Sequence, residues 1–354
     1  LEIFMEDYKS ERFLALVSKS GKANGEDKES LPSLGVASTL IRASMQLQKL
    51  VKSNGDVFWV EAVAGGMGRV TCNKMGGLLQ GFVKLQIPDD PSVHRLYTFE
   101  PYIELAVKCL KEFGAYQLLS GPFLDEQFVH ATARMNHLNQ CVDKIRQEVK
   151  SERFLSRLNS YQRSSNKNYK ELTEYVDGLF ESYSRLLVLR VDLSYSKEYS
   201  GTEQTQAARD LKHLLGNARS NKMFASMVGY VWKLEHGAKK GFHYHVMFFF
   251  DGSKVREDVT LAKRIGEYWV DVVTKGRGLY YNCNAVKYVY SSCGIGMINH
   301  ADTELREGLR KALIYLTKAD LYMKLQTEGR GMGRGARPGP KDSRGRPRGE
   351  PSVR

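Results

Sequence analysis

His243 and His245 stand two apart in the run GFHYHVMFFF, residues 241–250, which reads as a buried strand. Side chains two apart on a strand project from the same face, so the two imidazoles converge on one region. Neutral imidazoles aimed at one point form half a shell for a divalent cation. Taken alone, His-x-His more commonly means two hydrogen-bonded histidines in a packed strand. Glu235 shifts the balance. It lies near the end of the preceding strand, across the short turn 236–241, where antiparallel pairing sets its carboxylate beside the imidazoles. Two nitrogens and one oxygen, with positions open to water and phosphate, suit Mg²⁺ or Mn²⁺. The other reading of Glu235 is an exposed strand end paired with Lys239 or Lys240.

A cation on a basic protein suggests phosphodiester chemistry, which needs a nucleophile. Tyr315-Leu316-Thr317-Lys318 offers one on a helix near the C-terminus. Tyr315 and Lys318 are three apart, Lys318 and Tyr322 four apart, so all three share a helical face. A tyrosine hydroxyl is a poor nucleophile at its ordinary pKa of about 10. A neighbouring ammonium favours the phenolate and steadies the phosphate or leaving oxygen. Tyr-x-x-Lys by itself is common in helices; its weight comes from occurring with Glu235, His243 and His245. Tyr315 and Tyr322 are seven apart, roughly 10 Å along a helix, which favours a single nucleophile, Tyr315.

Several elements must position these residues. Residues 186–193 read as a strand with Leu187, Leu189, Val191 and Leu193 on one face and Arg190, Asp192 and Ser194 on the other. A helix over 203–219 follows, then strands over 227–235 and 242–250 joined as a hairpin. A helix over 255–273, a strand over 286–290 and a long helix over 303–325 complete the region. Helices on one face of a largely antiparallel sheet make this an α+β fold. The region before it is mainly helical. Residues 104–119 are amphipathic, and Phe128, Ala131, Met135, Leu138, Val142, Ile145 and Val149 form one apolar stripe. Residues 57–60 and 81–87 have strand character and flank GGMGRVTCNKMGG, which lacks the Gly-Lys-Ser/Thr ending of a phosphate loop and reads as a loop. SYQRSSNKNYK, residues 160–170, reads as a polar linker. The expected organisation is a helical region over 1–170, a nuclease domain over 180–327 and a disordered basic tail over 328–354.

The formal charge of +13 points to a polyanionic partner. Eight of the basic residues lie in the tail, against three acidic ones, where they attract phosphates without sequence preference. The five cysteines are widely spaced and form no Cys-x-x-Cys pair, which suits a reducing compartment and speaks against a thiolate zinc site. No apolar stretch approaches the roughly 18–20 residues needed to cross a bilayer. The start shows no export signal, so the expected location is cytoplasmic, with no membrane partner. The chain opens on Leu1, as a fragment or a chain with an unusual start codon would.

The strand Arg190-Val191-Asp192-Leu193-Ser194-Tyr195, then Glu235, His243-Tyr244-His245 and Tyr315-Leu316-Thr317-Lys318, resembles the motif order of HUH endonucleases. More narrowly, it resembles the inovirus gene-two replication family with its YagK/YfjJ C-terminal domains. The resemblance covers roughly residues 186–325. It implies a metal-dependent nickase of single-stranded DNA that starts rolling-circle replication in a bacterial host, with host replication proteins as further partners. It maps His243, His245 and Glu235 onto the metal, Tyr315 onto the nucleophile and Lys318 onto its companion lysine, with Tyr322 as a possible second tyrosine. Arg190 and Asp192 map onto support of the metal shell or contact with DNA. The competing reading is a non-catalytic DNA-binding regulator on a degenerate fold of the same kind. The origin, the oligomeric state and the source element, whether phage, prophage or plasmid, stay open.

Overall fold

The computed structural model describes residues 32–84, 96–237, 240–290, 292–318 and 323–338. The chain divides into two compact units, Leu34–Ser165 with Ala319–Lys324, and Asn166–Lys318 with the chain from Leu325 on.

The first unit begins in helix α1 (Pro32–Lys52), followed by the hairpin β1 (Phe58–Val63) and β2 (Met67–Cys72), and α2 (Lys74–Lys84). After β3 (Tyr97–Phe99) come α3 (Pro101–Glu112), α4 (Ala115–Ser120), the short β4 (Glu126–Gln127) and α5 (Phe128–Glu148). The middle of the apolar stripe expected on α5 is buried: Ala131, Leu138, Val142 and Ile145, with Cys141, join Leu47, Phe58, Phe82 and Leu110 in one core, whereas Phe128 at its start is exposed. Buried Asn139 on the same helix accepts from the Val57 and Phe58 amides and donates to the Phe58 carbonyl, tying β1 to α5. Two expectations fail here. The glycine-rich stretch is the turn and second strand of the β1–β2 hairpin followed by the first turn of α2 rather than a loop, with Gly65 and Gly66 at positive φ. Of the expected strand 81–87, residues 81–84 are helix, because Leu79, Phe82 and Val83 recur at helical spacing and are buried together, and residues 85–87 lie outside the described residues.

Helix α6 runs unbroken from Glu152 to Ser182, and the division between the units falls within it. The expected linker at 160–170 is therefore helical. Its polarity reflects exposure, since none of its described positions is buried, whereas Leu172, Tyr175, Val176, Leu179 and Phe180 further on belong to a core.

The second unit is built on an antiparallel sheet. Its strands are β5 (Arg185–Tyr195), β6 (Met227–Gly237), β7 (Gly241–Asp251), β8 (Gly278–Asn282), β9 (Gly296–Asn299) and, after β10 (Met323–Leu325), β11 (Met332–Arg334). The order is β11-β6-β7-β5-β8, with β9 also pairing β5, while β10 pairs β3 in a separate two-stranded sheet. Helices α7 (Gln204–Asn217), α8 (Asp258–Tyr268) and α9 (Thr303–Lys318) complete it. The α+β class, the antiparallel C-terminal sheet and the helical N-terminal region are as expected. The helices, however, occupy both faces. On one, Leu186, Val188, Val231, Met247 and Phe249 pack with α6 and with Leu309, Leu313 and Leu316 of α9. On the other, Tyr195 meets Trp269, Phe248 meets Phe224, and α8 lies along β5. Central strand β7 is accordingly buried from Gly241 through Phe250, which is why its sequence is apolar throughout rather than alternating.

The expected strand over 286–290 is not formed: residues 283–289 are a tight 3-10 turn, with Tyr290 capping its end. This turn carries buried Asn284 to the gap on β5 between its β8 and β9 partners. There its amide accepts from the Arg190 backbone N–H and donates to the Val188 carbonyl, replacing the missing strand bonds. The expected helix over 303–325 ends at Lys318, and 323–325 is strand. The expected disordered tail supplies β11, which pairs Met332–Arg334 with Val231–Lys233; residues 339–354 lie outside the described residues. Among the described residues, no helix is long and apolar enough to cross a membrane.

Candidate functional site

Antiparallel register assembles the site. Glu235 on β6 faces His243 on β7, and one pair further along Lys233, His245 and Asp192 lie in a single row across β6, β7 and β5. Alternation puts all five on one face, with Arg190 beside Asp192. Glu235 Oε2 is 3.3 Å from His245 Nε2 and 3.8 Å from His243 Nε2. The three donor atoms lie within 4.8 Å of one another, and both histidines are 8% exposed.

What surrounds the imidazoles determines which nitrogen is free. His243 Nδ1–H donates to the Gly241 carbonyl oxygen at 3.1 Å. His245 Nδ1–H donates to Asp192 Oδ1 at 2.7 Å, and Arg190 Nη2, at 3.4 Å from the same nitrogen, is too far to compete. Both Nε2 lone pairs therefore point at the carboxylate of Glu235. An acceptor facing an anion is unfavourable unless a cation lies between them. Without a metal that cation is a proton: burial lowers the pKa of His245, but Asp192 and Glu235 outweigh it and push it up to about 9. Burial likewise works to raise Glu235, and the two imidazoles, His245 foremost, hold it down to about 2. His243 is lowered, by burial first and by its neighbour His245 second. Burial opposes ionisation of Asp192 too, yet Arg190 and His245 keep it below the usual carboxylate range.

The residues present fit a divalent cation. Two imidazole nitrogens and a carboxylate oxygen converge, and each imidazole is anchored through its other nitrogen, as metal-binding histidines almost always are. Gly241 is fixed by more than the turn it makes. It sits at φ +63°, and any Cβ there would collide with the Ser200 carbonyl oxygen, so only glycine lets the loop after β5 approach the residue whose carbonyl holds His243.

The match to the family model for the YagK/YfjJ C-terminal domain spans residues 148–335, just over half of the chain. The chain belongs to this family. The match takes in the sheet, the Glu235–His243–His245 cluster and helix α9. No curated protein and no solved structure was found to match the chain.

Of the residues singled out from sequence, Glu235, His243, His245, Asp192 and Arg190 are brought together. Arg190 contacts Asp192, Nε to Oδ1 at 3.3 Å. Tyr315 and Lys318 lie on α9, whose Leu309, Leu313 and Leu316 pack on the same sheet face as the cluster; their own side chains are not among those described. Tyr322 lies outside the described residues. Two residues were missed. Lys233, 3% exposed, shares the cluster's face two positions before Glu235, and the same alternation that placed Glu235 could have found it. Asn284 carries no such signal, because its role depends on a strand gap that only the three-dimensional pairing creates.

Proposed function

We propose that the protein is a metal-dependent, HUH-type endonuclease that nicks single-stranded DNA at a replication origin and starts rolling-circle replication of an inovirus-like element in the bacterial cytoplasm. The convergence of two anchored Nε2 lone pairs on the Glu235 carboxylate carries this reading. Glu235, His243 and His245 would hold the cation, and Asp192 and the Gly241 carbonyl would keep the imidazoles turned toward it. When bound, Mn²⁺ or Mg²⁺ supplies Lewis-acid polarisation of the scissile phosphate; imidazole donors favour Mn²⁺ of the two. Tyr315 attacks the phosphorus, a bond from the tyrosine oxygen to phosphorus forms, and the bond to the 3′ oxygen breaks. The strand is left with a 5′-phosphotyrosine linkage and a free 3′-hydroxyl that primes synthesis, while the phenol proton passes to solvent or to the leaving oxygen. Lys318, one helical turn from Tyr315, favours the phenolate.

Purified protein with Mn²⁺ and single-stranded DNA from its own element is expected to form a covalent protein–DNA adduct that survives denaturing electrophoresis. Tyr315→Phe should reduce adduct formation by roughly a thousandfold or more, and Tyr322→Phe should leave it. The reverse pattern would move the nucleophile to Tyr322. His243→Ala should lose cleavage and keep the salt-sensitive DNA binding. Tight binding by wild-type protein with no cleavage of any cognate strand would establish the regulator instead.

A further inference from the structure

The row that holds the metal cluster does not stop at β5. Asp192 faces His245 on one side and Tyr281 of edge strand β8 on the other, so Lys233, His245, Asp192 and Tyr281 form one line across four strands. Leu279 occupies the next position of the same face, opposite Ser194. These two side chains are 47% and 55% exposed, although they share a sheet face whose other end is packed under α6 and α9.

The fold anchors the alternate residues of β8 on the opposite face of the sheet. The Tyr280 ring points to the opposite face and lies so close to Gly266 of α8 that no side chain fits there, and Gly278 is pressed against Trp269. Anchored by those two contacts, β8 must turn Leu279 and Tyr281 outward on the metal side. Exposed basic groups stand at the same end. Lys197 follows β5 and Lys275 precedes β8, and the two turns are joined by the Ser196 N–H donating to the Arg277 carbonyl.

We infer that Leu279 and Tyr281 form a stacking platform for the unpaired bases of single-stranded DNA beside the metal centre. This rests on the function proposed above and deepens it by specifying where the strand lies. An exposed aromatic and a leucine in line with the candidate cation site, on a chain of net charge +13, match a ligand that offers unpaired bases and phosphates together. Adjacent strands are about 4.8 Å apart, which puts Tyr281 roughly 10 Å from His245, within reach of the nucleotides flanking a phosphate at the cluster. A duplex keeps its bases stacked inside and gives this platform nothing to hold.

The test is fluorescence anisotropy with labelled oligothymidylate and a labelled duplex, using the full chain in EDTA so that neither metal nor cleavage contributes. Wild-type protein should prefer the single strand. Tyr281→Ala should weaken single-strand binding on the order of tenfold and change duplex binding less than about twofold, while Tyr281→Trp should retain single-strand binding. Equal binding of both DNAs by wild type, or full single-strand binding by the Leu279→Ala/Tyr281→Ala variant, would overturn the platform. The outcome is separable from the nickase reading. Loss of binding in Tyr281→Ala without any adduct from wild-type protein keeps the platform and sinks the nickase. Adduct formation with binding indifferent to Tyr281 does the opposite.

Discussion

A carboxylate behind an imidazole does two things at once. Asp192 holds the proton on His245 Nδ1, which leaves the Nε2 lone pair for a cation, and its charge makes that nitrogen a stronger donor. The Gly241 carbonyl performs only the first task for His243. The two histidines are thus unequal, and Asp192→Asn should expose the difference. The amide can still accept from Nδ1–H but carries no charge, so Mn²⁺ affinity, measured by calorimetry, should fall about 10- to 100-fold. Unchanged affinity would mean that Asp192 serves Arg190 rather than the cation. At this scale the sequence was informative, because spacing on paired strands is almost a coordinate. His243 and His245 two apart share a face in any register, and a one-residue slip of the hairpin would take Glu235 to the other face. The burial of Lys233 was not legible, since its outer neighbour Met332 comes from a tail with no strand pattern.

Elements were legible where one periodicity acted alone and obscure where two structural demands overlapped. Strands β5, β6 and β7 and helices α5 and α7 follow their apolar patterns closely. The turn at 283–289 reads as a strand because Val286, Tyr288 and Val289 favour extended backbone, yet the segment is drawn across the sheet edge by Asn284. Helix α3 shows a local choice with an energetic consequence. Its N-cap is Glu100, which accepts from the Tyr102 and Ile103 amides and is 5% exposed. Burial pushes this carboxyl from 4.5 up to about 7, although those amides and Ser44 pull the other way. A raised acid pKa means that the folded state holds its proton more tightly than the unfolded chain. The stability it contributes is complete below the unfolded value of about 4.5 and is lost as pH rises through about 7. A shift of this size corresponds to roughly 3 kcal/mol. Wild-type protein should therefore melt at lower temperature at pH 8 than at pH 5.5. Glu100→Gln, which keeps the accepting oxygen, should flatten that slope and melt higher at pH 8; an unaltered slope would show that Glu100 stays ionised when folded.

The division of the whole molecule follows its cores rather than its composition. Polar residues at 160–170 look like a boundary, and the boundary between units does fall there, but inside a continuous helix instead of a loop. The C-terminal tail misleads in the same way. Glycine and arginine dominate it, and no apolar period marks the part that becomes β11. Yet Gly333 lies against the Trp232 ring, Gly335 sits close to the Tyr175 hydroxyl, and Met332 packs on the core of the second unit. Glycine is useful here because it lets an edge strand approach bulky aromatics. The backbone bonds are made as well, with Leu234 N–H donating to Gly331 and Gly335 N–H to the Tyr230 carbonyl. The tail therefore has two parts that can be separated by truncation. Ending the chain at residue 338 removes five Lys/Arg and two Asp/Glu and no part of β11. Its melting temperature should match that of the full chain, while DNA binding should show a shallower dependence on salt, because each lost phosphate contact lowers the slope by roughly one. Ending at residue 330 also removes β11 and uncovers β6, the strand that carries Glu235. That protein should melt lower and bind Mn²⁺ less tightly, since a frayed β6 no longer fixes the carboxylate opposite His243. Equal melting of the two truncated chains would show that β11 adds nothing to the sheet and that the tail acts by charge alone.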